Sequence, residues 1–489
     1  MSISIQNKSK KDLVQSIIII AIMLLVGFLP PFGSITILGM KVLGIFLGCI
    51  IGWCMGKMIW PSLLGLLSVG LTDYSTCAGM LSEAFGNTTL WLVAFCLMFL
   101  YAIDSSGILD VVTKFILTRK FVTKGPWSLA AAVWIASSVV SIFISVTVAV
   151  TLVIWSFFIN VCKQVGIKPY EKYPTIVLIG CCLLADLGIC IAPFSINALV
   201  CIGVYNGVMT DLPVNMALYS LTVLLINIIF VPLFILLCKY VICRDFHLDL
   251  SNVKMIDDDE KIALNGKQKI VVGYICLLIF MFVSPTFMPV NFALTKLFSA
   301  LGYPGILAII LILMSITTYE GEPIMDIGQA MKKNVLWDMF FMLAAAWTLA
   351  SALVADNVGI SATVTEILFP LLAGKSAFVF VAICLFAGII ITNCINNAVT
   401  MTILIPIAMS FASLIDFNPV VLVTLFVIVL TQGAILPSGS PLGALMHGYK
   451  EWLRPIDVMI YAAIFVFSLT AVAAFIGYPL GCFIFSTFS

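Results

Sequence analysis

Apolar residues run along the chain in thirteen long blocks, at about 13–32, 35–56, 58–72, 85–106, 127–162, 174–205, 213–242, 270–288, 303–318, 335–356, 372–412, 419–448 and 457–486. Eleven have lengths that predict single helices crossing a bilayer, whose hydrocarbon core takes about 20 helical residues. The blocks 127–162 and 372–412 are too long for one span and too short for two spans with a loop. Each carries a polar knot at its middle, Ser145-Val146-Thr147 in the first and Asn396-Asn397-Ala398 in the second. Both read as re-entrant helical hairpins, because non-helical backbone at membrane depth is tolerated only where it lines protein or a water-filled cavity.

Two further blocks are interrupted. The 174–205 block is expected to break near 192–198, at Ala192-Pro193-Phe194-Ser195-Ile196-Asn197-Ala198, and the 419–448 block near 436–444, around Leu436-Pro437-Ser438-Gly439-Ser440-Pro441. Proline removes a backbone donor and clashes with the preceding turn, so a helix opens there.

Composition agrees with this reading. Of 489 residues, 62% are hydrophobic and 10% charged, and the mean hydropathy is +1.20. An average soluble chain is roughly 45–50% apolar and about 25% charged, so a soluble enzyme, a disordered chain and a nucleic-acid binder are all excluded. The net charge of +1 implies no polyanionic partner. The 15 cysteines lie mostly inside apolar blocks, where cysteine behaves as a small apolar residue, and His247 and His447 are the only histidines.

The first basic stretch, Lys8 to Lys11, precedes an apolar run that reads as a retained first helix rather than a signal peptide, because no small-residue cleavage pattern follows. Cytoplasmic loops carry the excess of Lys and Arg. With the N-terminus inside, eleven spans and two hairpins that return to their own side, only Lys41, Lys296 and Lys375 of the 24 Lys and Arg lie outside. The C-terminus is then outside.

The two halves echo each other. Asp104, Gly107 and Ile108 recur as Asp356, Gly359 and Ile360, offset by 252. Ile144, Ser145, Val148 and Thr151 recur, with Asn for Ser, as Ile395, Asn396, Val399 and Thr402, offset by 251. The first Asp-x-x-Gly closes its helix inside and the second outside, which is an inverted-topology repeat. The expected organisation is a first repeat over 1–242, a cytoplasmic linker over 243–269 and a second repeat over 270–489. The fold class is an all-α polytopic membrane protein in the plasma membrane. Inverted repeats with broken segments point to a secondary transporter with a midplane site.

No Lys or Arg is expected at the core of any span. An anion would be held by the hydroxyls and amides of Ser145, Thr147, Asn396, Asn397, Ser195, Asn197 and Ser440 and by helix N-termini, with co-bound cations balancing its charge. Taken singly, Ser and Thr also back-bond to helix carbonyls with no other role. Asp186 lies about 18 Å into its span at 1.5 Å per residue. It is a cation or proton site, or else a protonated or capped structural acid. Asp104 and Asp356 lie near span ends, where capping is expected. A membrane enzyme would need a catalytic set at membrane depth. No H-E-x-x-H, paired intramembrane aspartates or Ser/His couple is present, so no enzymatic activity is expected.

At the hairpins and breaks the chain resembles the divalent anion–sodium symporter family, the sodium/dicarboxylate and sulfate symporter-like permeases. The run from Asn396-Asn397-Ala398-Val399-Thr400 to Pro406 is similar to that family's S-N-T-A-T tip leading to proline. Ser145-Val146-Thr147 is similar to its first tip, with Val146 where the family has asparagine. Leu436-Pro437-Ser438-Gly439-Ser440-Pro441 is similar to its L-P-x-x-T-P break, with Gly443 where asparagine is usual.

The resemblance implies that Ser145, Thr147, Asn396, Asn397, Ser440 and Pro441 face the substrate. It implies two sodium sites, one from Ser141, Ser145 and carbonyls around Pro193–Asn197, the other from Thr392, Asn397 and carbonyls at Ile395 and Gly439. It further implies a homodimer and an elevator-type motion. Val146 and Ala398 predict a less polar pocket than the family's, suited to a larger or less charged anion. The expected function is sodium-coupled transport of a di- or tricarboxylate-like anion. The alternative is a proton-coupled or exchange-type carrier with Asp186 at its centre.

Overall fold

The computed structural model describes residues 2–117, 124–143, 147–244, 263–289, 291–372, 375–412, 414–437 and 439–488. Ser145 and most of the expected linker lie outside them. Among the described residues, nine helices are long and apolar enough to cross a membrane. They are joined by shorter apolar helices, and the chain is an all-α, multi-pass membrane protein. Among the described residues the one sheet is a two-stranded antiparallel hairpin, Thr318–Tyr319 with Glu322–Pro323.

Both expected hairpins are present as pairs of helical arms. The first pairs Pro126–Ser141 with Thr147–Gln164, the second Ala377–Cys394 with Asn397–Met409. Both interrupted helices are open. The first stops at Ile189 and resumes at Ile196. The second stops at Leu430 and resumes at Pro441. The second opening therefore begins at Thr431, ahead of the proline-containing stretch that marks it in the sequence.

Elements of the two halves correspond in order. Thr88–Ser106 is matched by Trp337–Val354, Ile108–Leu117 by Ile360–Leu372, and Met216–Leu237 by Pro455–Val472. The last pair even ends alike, each running into a π-helical turn, Cys238–Ile242 and Ala473–Gly477. The repeated Asp-x-x-Gly-Ile has a local cause. Gly107 (φ 68) and Gly359 (φ 73) adopt the left-handed conformation that glycine takes without penalty, and a new helix starts at the following isoleucine in each case.

The halves interlock. Thr88–Ser106 packs on Ala293–Ile316, Gly266–Phe287 and Ile327–Lys333 of the second half, and Trp337–Val354 packs on Ile37–Cys54, Ile59–Gly70 and Cys77–Gly86 of the first. The N-terminal ends of these matched helices meet, with the Trp91 and Phe340 rings 5.8 Å apart and Phe85 and Phe340 6.2 Å apart. The hairpins and broken helices form a second body. There Ile196–Val208 packs on Asn397–Met409, and Pro441–Gly448 packs on Thr147–Gln164 and Lys172–Ile189. Trp337–Val354 joins the two bodies by packing on Ile196–Val208 and Asn397–Met409.

One helix departs from the sequence expectation. Ala293–Ile316 begins ten residues before the apolar block at 303, and its backbone is non-helical at Gly302 (φ 60), just ahead of Pro304. The glycine lets the chain turn into the span, so the preceding turns are a separate helical piece.

Candidate functional site

Four helices start around one cavity of about 260 Å³. Thr147 and Val148 begin the second arm of the first hairpin, and Ile196 and Asn197 begin the resumed half of the first broken helix. Asn396, Asn397 and Ala398 begin the second arm of the second hairpin, and Ser440, Pro441 and Leu442 begin the resumed half of the second broken helix. The remaining wall is Asp186, Ile189, Gly439, Leu336 and Met339. Of the other cavities, one of about 290 Å³ is lined almost wholly by apolar groups, and one of about 580 Å³ beside the first helices carries Lys41, Ser68 and Thr72. The polar groups of the hairpins and broken helices converge on the 260 Å³ one, which makes it the candidate small-molecule site.

The local chemistry explains why the helices start where they do. The Asn396 Oδ1 accepts from the Ala398 N–H at 3.0 Å, and the Ser440 Oγ accepts from the Gly443 N–H at 3.0 Å, with Pro441 at the first helical position. Both are N-caps, which satisfy one of the four N–H groups that a helix start leaves unpaired. Each helix start carries a partial positive charge and spare N–H groups, so it attracts anions. Among the described residues no Lys, Arg or His lines the cavity, so positive charge for an anion would come from the helix starts.

Among the described residues, Asp186 is the one ionisable group on the cavity wall. It is buried, and the Thr147 Oγ1 donates to its Oδ1 at 3.3 Å.

The second hairpin is tied to the opened helix beside it. The Thr392 Oγ1 lies 2.6 Å from the Leu430 carbonyl and 2.9 Å from the Asn397 Oδ1. The Asn397 Nδ2 donates to the Thr431 carbonyl at 2.8 Å. The Asn393 Nδ2 donates to the Ile389 carbonyl at 2.8 Å and to the Gln432 carbonyl at 3.3 Å, and its Oδ1 accepts from the Ile435 N–H at 2.8 Å. Three hairpin side chains thus pair with three consecutive carbonyls. This is why the helix opens at Thr431 rather than at Leu436: its carbonyls have partners outside the helix.

Oxygen atoms gather at Gly433. A Cβ placed on that residue would have the Asn397 Oδ1, the Thr392 carbonyl and the Gly439 carbonyl all within 3.1 Å. Three uncharged hard oxygens around one point are a donor set for a hard cation such as sodium. Beside it, Gln432 is fully buried with neither amide atom paired.

Of the residues singled out in the sequence, Thr147, Asp186, Asn197, Asn396, Asn397, Gly439, Ser440 and Pro441 stand on the cavity wall. Thr392 is buried behind it, and Ile395 is half-buried at the hairpin tip. Ser195 is off the wall: its buried hydroxyl caps Ile196–Val208 by accepting from the Ala198 N–H at 3.4 Å. Ser141 is fully buried and its hydroxyl has no partner. His447 pairs through Nε2 with the Ile435 carbonyl at 3.0 Å and is not on the wall.

Sequence reasoning missed Asn393, Gly433, Leu336 and Met339. Asn393 carried a signal, an amide inside an apolar block next to Thr392. Leu336 and Met339 carried none, because an apolar residue that faces a site looks like any other apolar residue.

The sequence model of the CitMHS family, described as citrate transporter, matches residues 13–427. Among solved structures, the YdaH transporter of Alcanivorax borkumensis, whose crystal structure is described as revealing an unusual topology, superposes with a TM-score of 0.55. The match covers 91% of this chain and 98% of that one at 12% identity, a likeness of fold. No curated protein matches the sequence.

Proposed function

From the premise that this chain belongs to the citrate transporter family, we propose that it carries a citrate-like di- or tricarboxylate in the 260 Å³ cavity and couples that movement to sodium. The observation that carries the reading is the meeting of four helix starts, with their polar caps, on one cavity without Lys, Arg or His among the described residues of its wall. A volume near the lower end of the range for ligand pockets suits a small anion.

Magnitudes argue for a co-bound cation. A helix start stabilises an anion by about 0.3–1 kcal/mol, and by about 2 kcal/mol in favourable buried geometry. Four starts together supply at most about 8 kcal/mol. Taking each ion out of water costs several kcal/mol, so two or three carboxylates together cost about as much as the termini supply at their best. A co-bound cation would restore the margin. Asn397, Thr392 and Gly439 would hold sodium at Gly433, and the ion would add positive charge beside the anion. In the first half the corresponding donors are fewer. Ser141 offers a hydroxyl, Val146 has no amide, and Ser145 lies outside the described residues.

The interlocked body and the hairpin body support alternating access by an elevator-type motion, with Leu336 and Met339 as the stationary wall. A pseudo-twofold axis in the membrane plane relates the halves of inverted-repeat carriers. Matched helices of the two halves meet at Trp91 and Phe340, and the cavity stands beside that contact at Leu336 and Met339, which supports a site near the midplane. A homodimer built on the stationary body completes the proposal.

The test is uptake of labelled citrate into proteoliposomes with an inward sodium gradient or with choline, at equal internal and external pH. Uptake driven by sodium supports the reading. Uptake that is equal in choline, and that rises when an inward proton gradient is imposed in a second arm, overturns sodium coupling. It moves the coupling role to Asp186, the carboxylate that faces the cavity with Thr147 as its partner.

A further inference from the structure

The two junctions between hairpin and broken helix differ in chemistry. In the second half Thr392, Asn393 and Asn397 pair with the carbonyls of Leu430, Gln432 and Thr431. The corresponding positions of the first half, 251 residues earlier, hold Ser141, Ile142 and Val146. Ile142 and Val146 have no polar side-chain atom, and the Ser141 hydroxyl is unpaired. Among the described residues, side chains of a hairpin take the carbonyls at the break of an opened helix in the second half, whereas the first tip reaches a side chain instead, Thr147 to Asp186.

Asn393 differs from its two neighbours in that it grips both ends of a bend. Its Nδ2 reaches the Gln432 carbonyl while its Oδ1 receives the Ile435 N–H. Gly433 lies between those two points in the chain. Gly433 is also the residue that the oxygens of Asn397, Thr392 and Gly439 surround. Asn393 is itself 4% exposed and stands off the cavity wall. Only an amide of this length supplies both the donor and the acceptor that the bend requires.

We propose that Asn393 is a positioning residue for the coupling cation: it fixes the Gln432–Ile435 bend and so sets the spacing of the oxygen cradle at Gly433, without touching the anion. This rests on the reading of that cradle as a cation site. The chemistry separates the two roles. Loss of Asn393 loosens the cradle but leaves Asn396, Ser440 and the helix starts where they are.

The experiment is citrate uptake into proteoliposomes as a function of sodium, for the wild type, Asn393→Ala, Asn393→Leu and, as a control on the cradle, Gly433→Ala. Asn393→Leu keeps the volume but has neither donor nor acceptor and no charge, so a space-filling role predicts near wild-type behaviour for it. The expected result is a half-saturating sodium concentration raised about tenfold or more in both Asn393 variants. The citrate KM at saturating sodium stays within about twofold. Each protein is taken from the monodisperse folded fraction, and its thermal midpoint without sodium is measured alongside.

Sodium-independent uptake by the wild type overturns the cradle and the positioning role together. A sodium-dependent wild type, with Gly433→Ala impaired but both Asn393 variants unchanged in sodium half-saturation, overturns the positioning role and leaves the cradle standing. A citrate KM that rises equally at every sodium concentration places Asn393 on the anion and also overturns it. So does loss of folded protein in both variants, which makes the residue structural.

Discussion

The Thr147 Oγ1 donates to the Asp186 Oδ1 across 3.3 Å, joining the tip of the first hairpin to a carboxylate on the wall of the 260 Å³ cavity. A negative charge there would oppose the proposed anion, and no Lys, Arg or His among the described residues of the wall offsets it. Asp186→Asn keeps the shape and a polar partner for Thr147. If Asp186 takes up a proton during transport, this change flattens the pH dependence of citrate uptake between about pH 5 and 8. An unaltered pH profile would remove Asp186 from coupling.

Asn397 makes two bonds, to the Thr431 carbonyl and with the Thr392 hydroxyl, and it also lines the cavity. Asn397→Ala strips the cradle of its side-chain oxygen and leaves a buried carbonyl unpaired, at about 1–3 kcal/mol. Uptake is expected to fall by about 100-fold or more while membrane expression persists. Uptake near the wild-type rate would sink the placement of the site.

Ser440 separates capping from charge. Ser440→Ala removes the N-cap of Pro441–Gly448 and costs about 1 kcal/mol, whereas aspartate caps as well as serine. Ser440→Asp is thus expected to keep the thermal midpoint but to abolish citrate-induced stabilisation, because its charge sits in the anion cavity. Citrate that still stabilises Ser440→Asp would mean that the anion binds elsewhere.

Gly107 and Gly359 occupy the same motif with different surroundings. A Cβ on Gly107 comes no nearer to a neighbour than 3.8 Å, at the Gln268 amide, whereas one on Gly359 would be driven into the Ser34 carbonyl. Gly107→Ala carries only the left-handed backbone penalty, about 1 kcal/mol. Gly359→Ala adds displacement of the Ser34 loop, so its thermal midpoint should fall clearly further. Equal midpoints would contradict the close packing of that loop on the second half.

Met339 lines the 260 Å³ cavity from the interlocked body. Met339→Trp takes volume from a 260 Å³ cavity without adding charge. Tricarboxylate uptake should fall more than dicarboxylate uptake, read as the ratio of their kcat/KM values. A parallel fall in both would show that Met339 does not bound the substrate.

The membrane class, the two hairpins, the two broken helices and the paired halves are all legible in the sequence. Each rests on a local pattern: apolar runs of set length, a polar knot inside such a run, or proline and glycine at a helix opening. Asn396, Asn397, Ser440 and Asp186 stood out for the same reason, since a polar group at membrane depth is costly wherever the chain goes next. The tertiary structure alone decided that four helix starts share one cavity, that Leu336 and Met339 close it, and that Ser195 caps its helix off the wall. It also decided that the second helix opens at Thr431, where Thr392, Asn393 and Asn397 take its carbonyls. Those facts depend on contacts between segments tens to hundreds of residues apart. Local hydropathy and turn propensity are blind to such contacts, because they arise only when the two halves pack against each other.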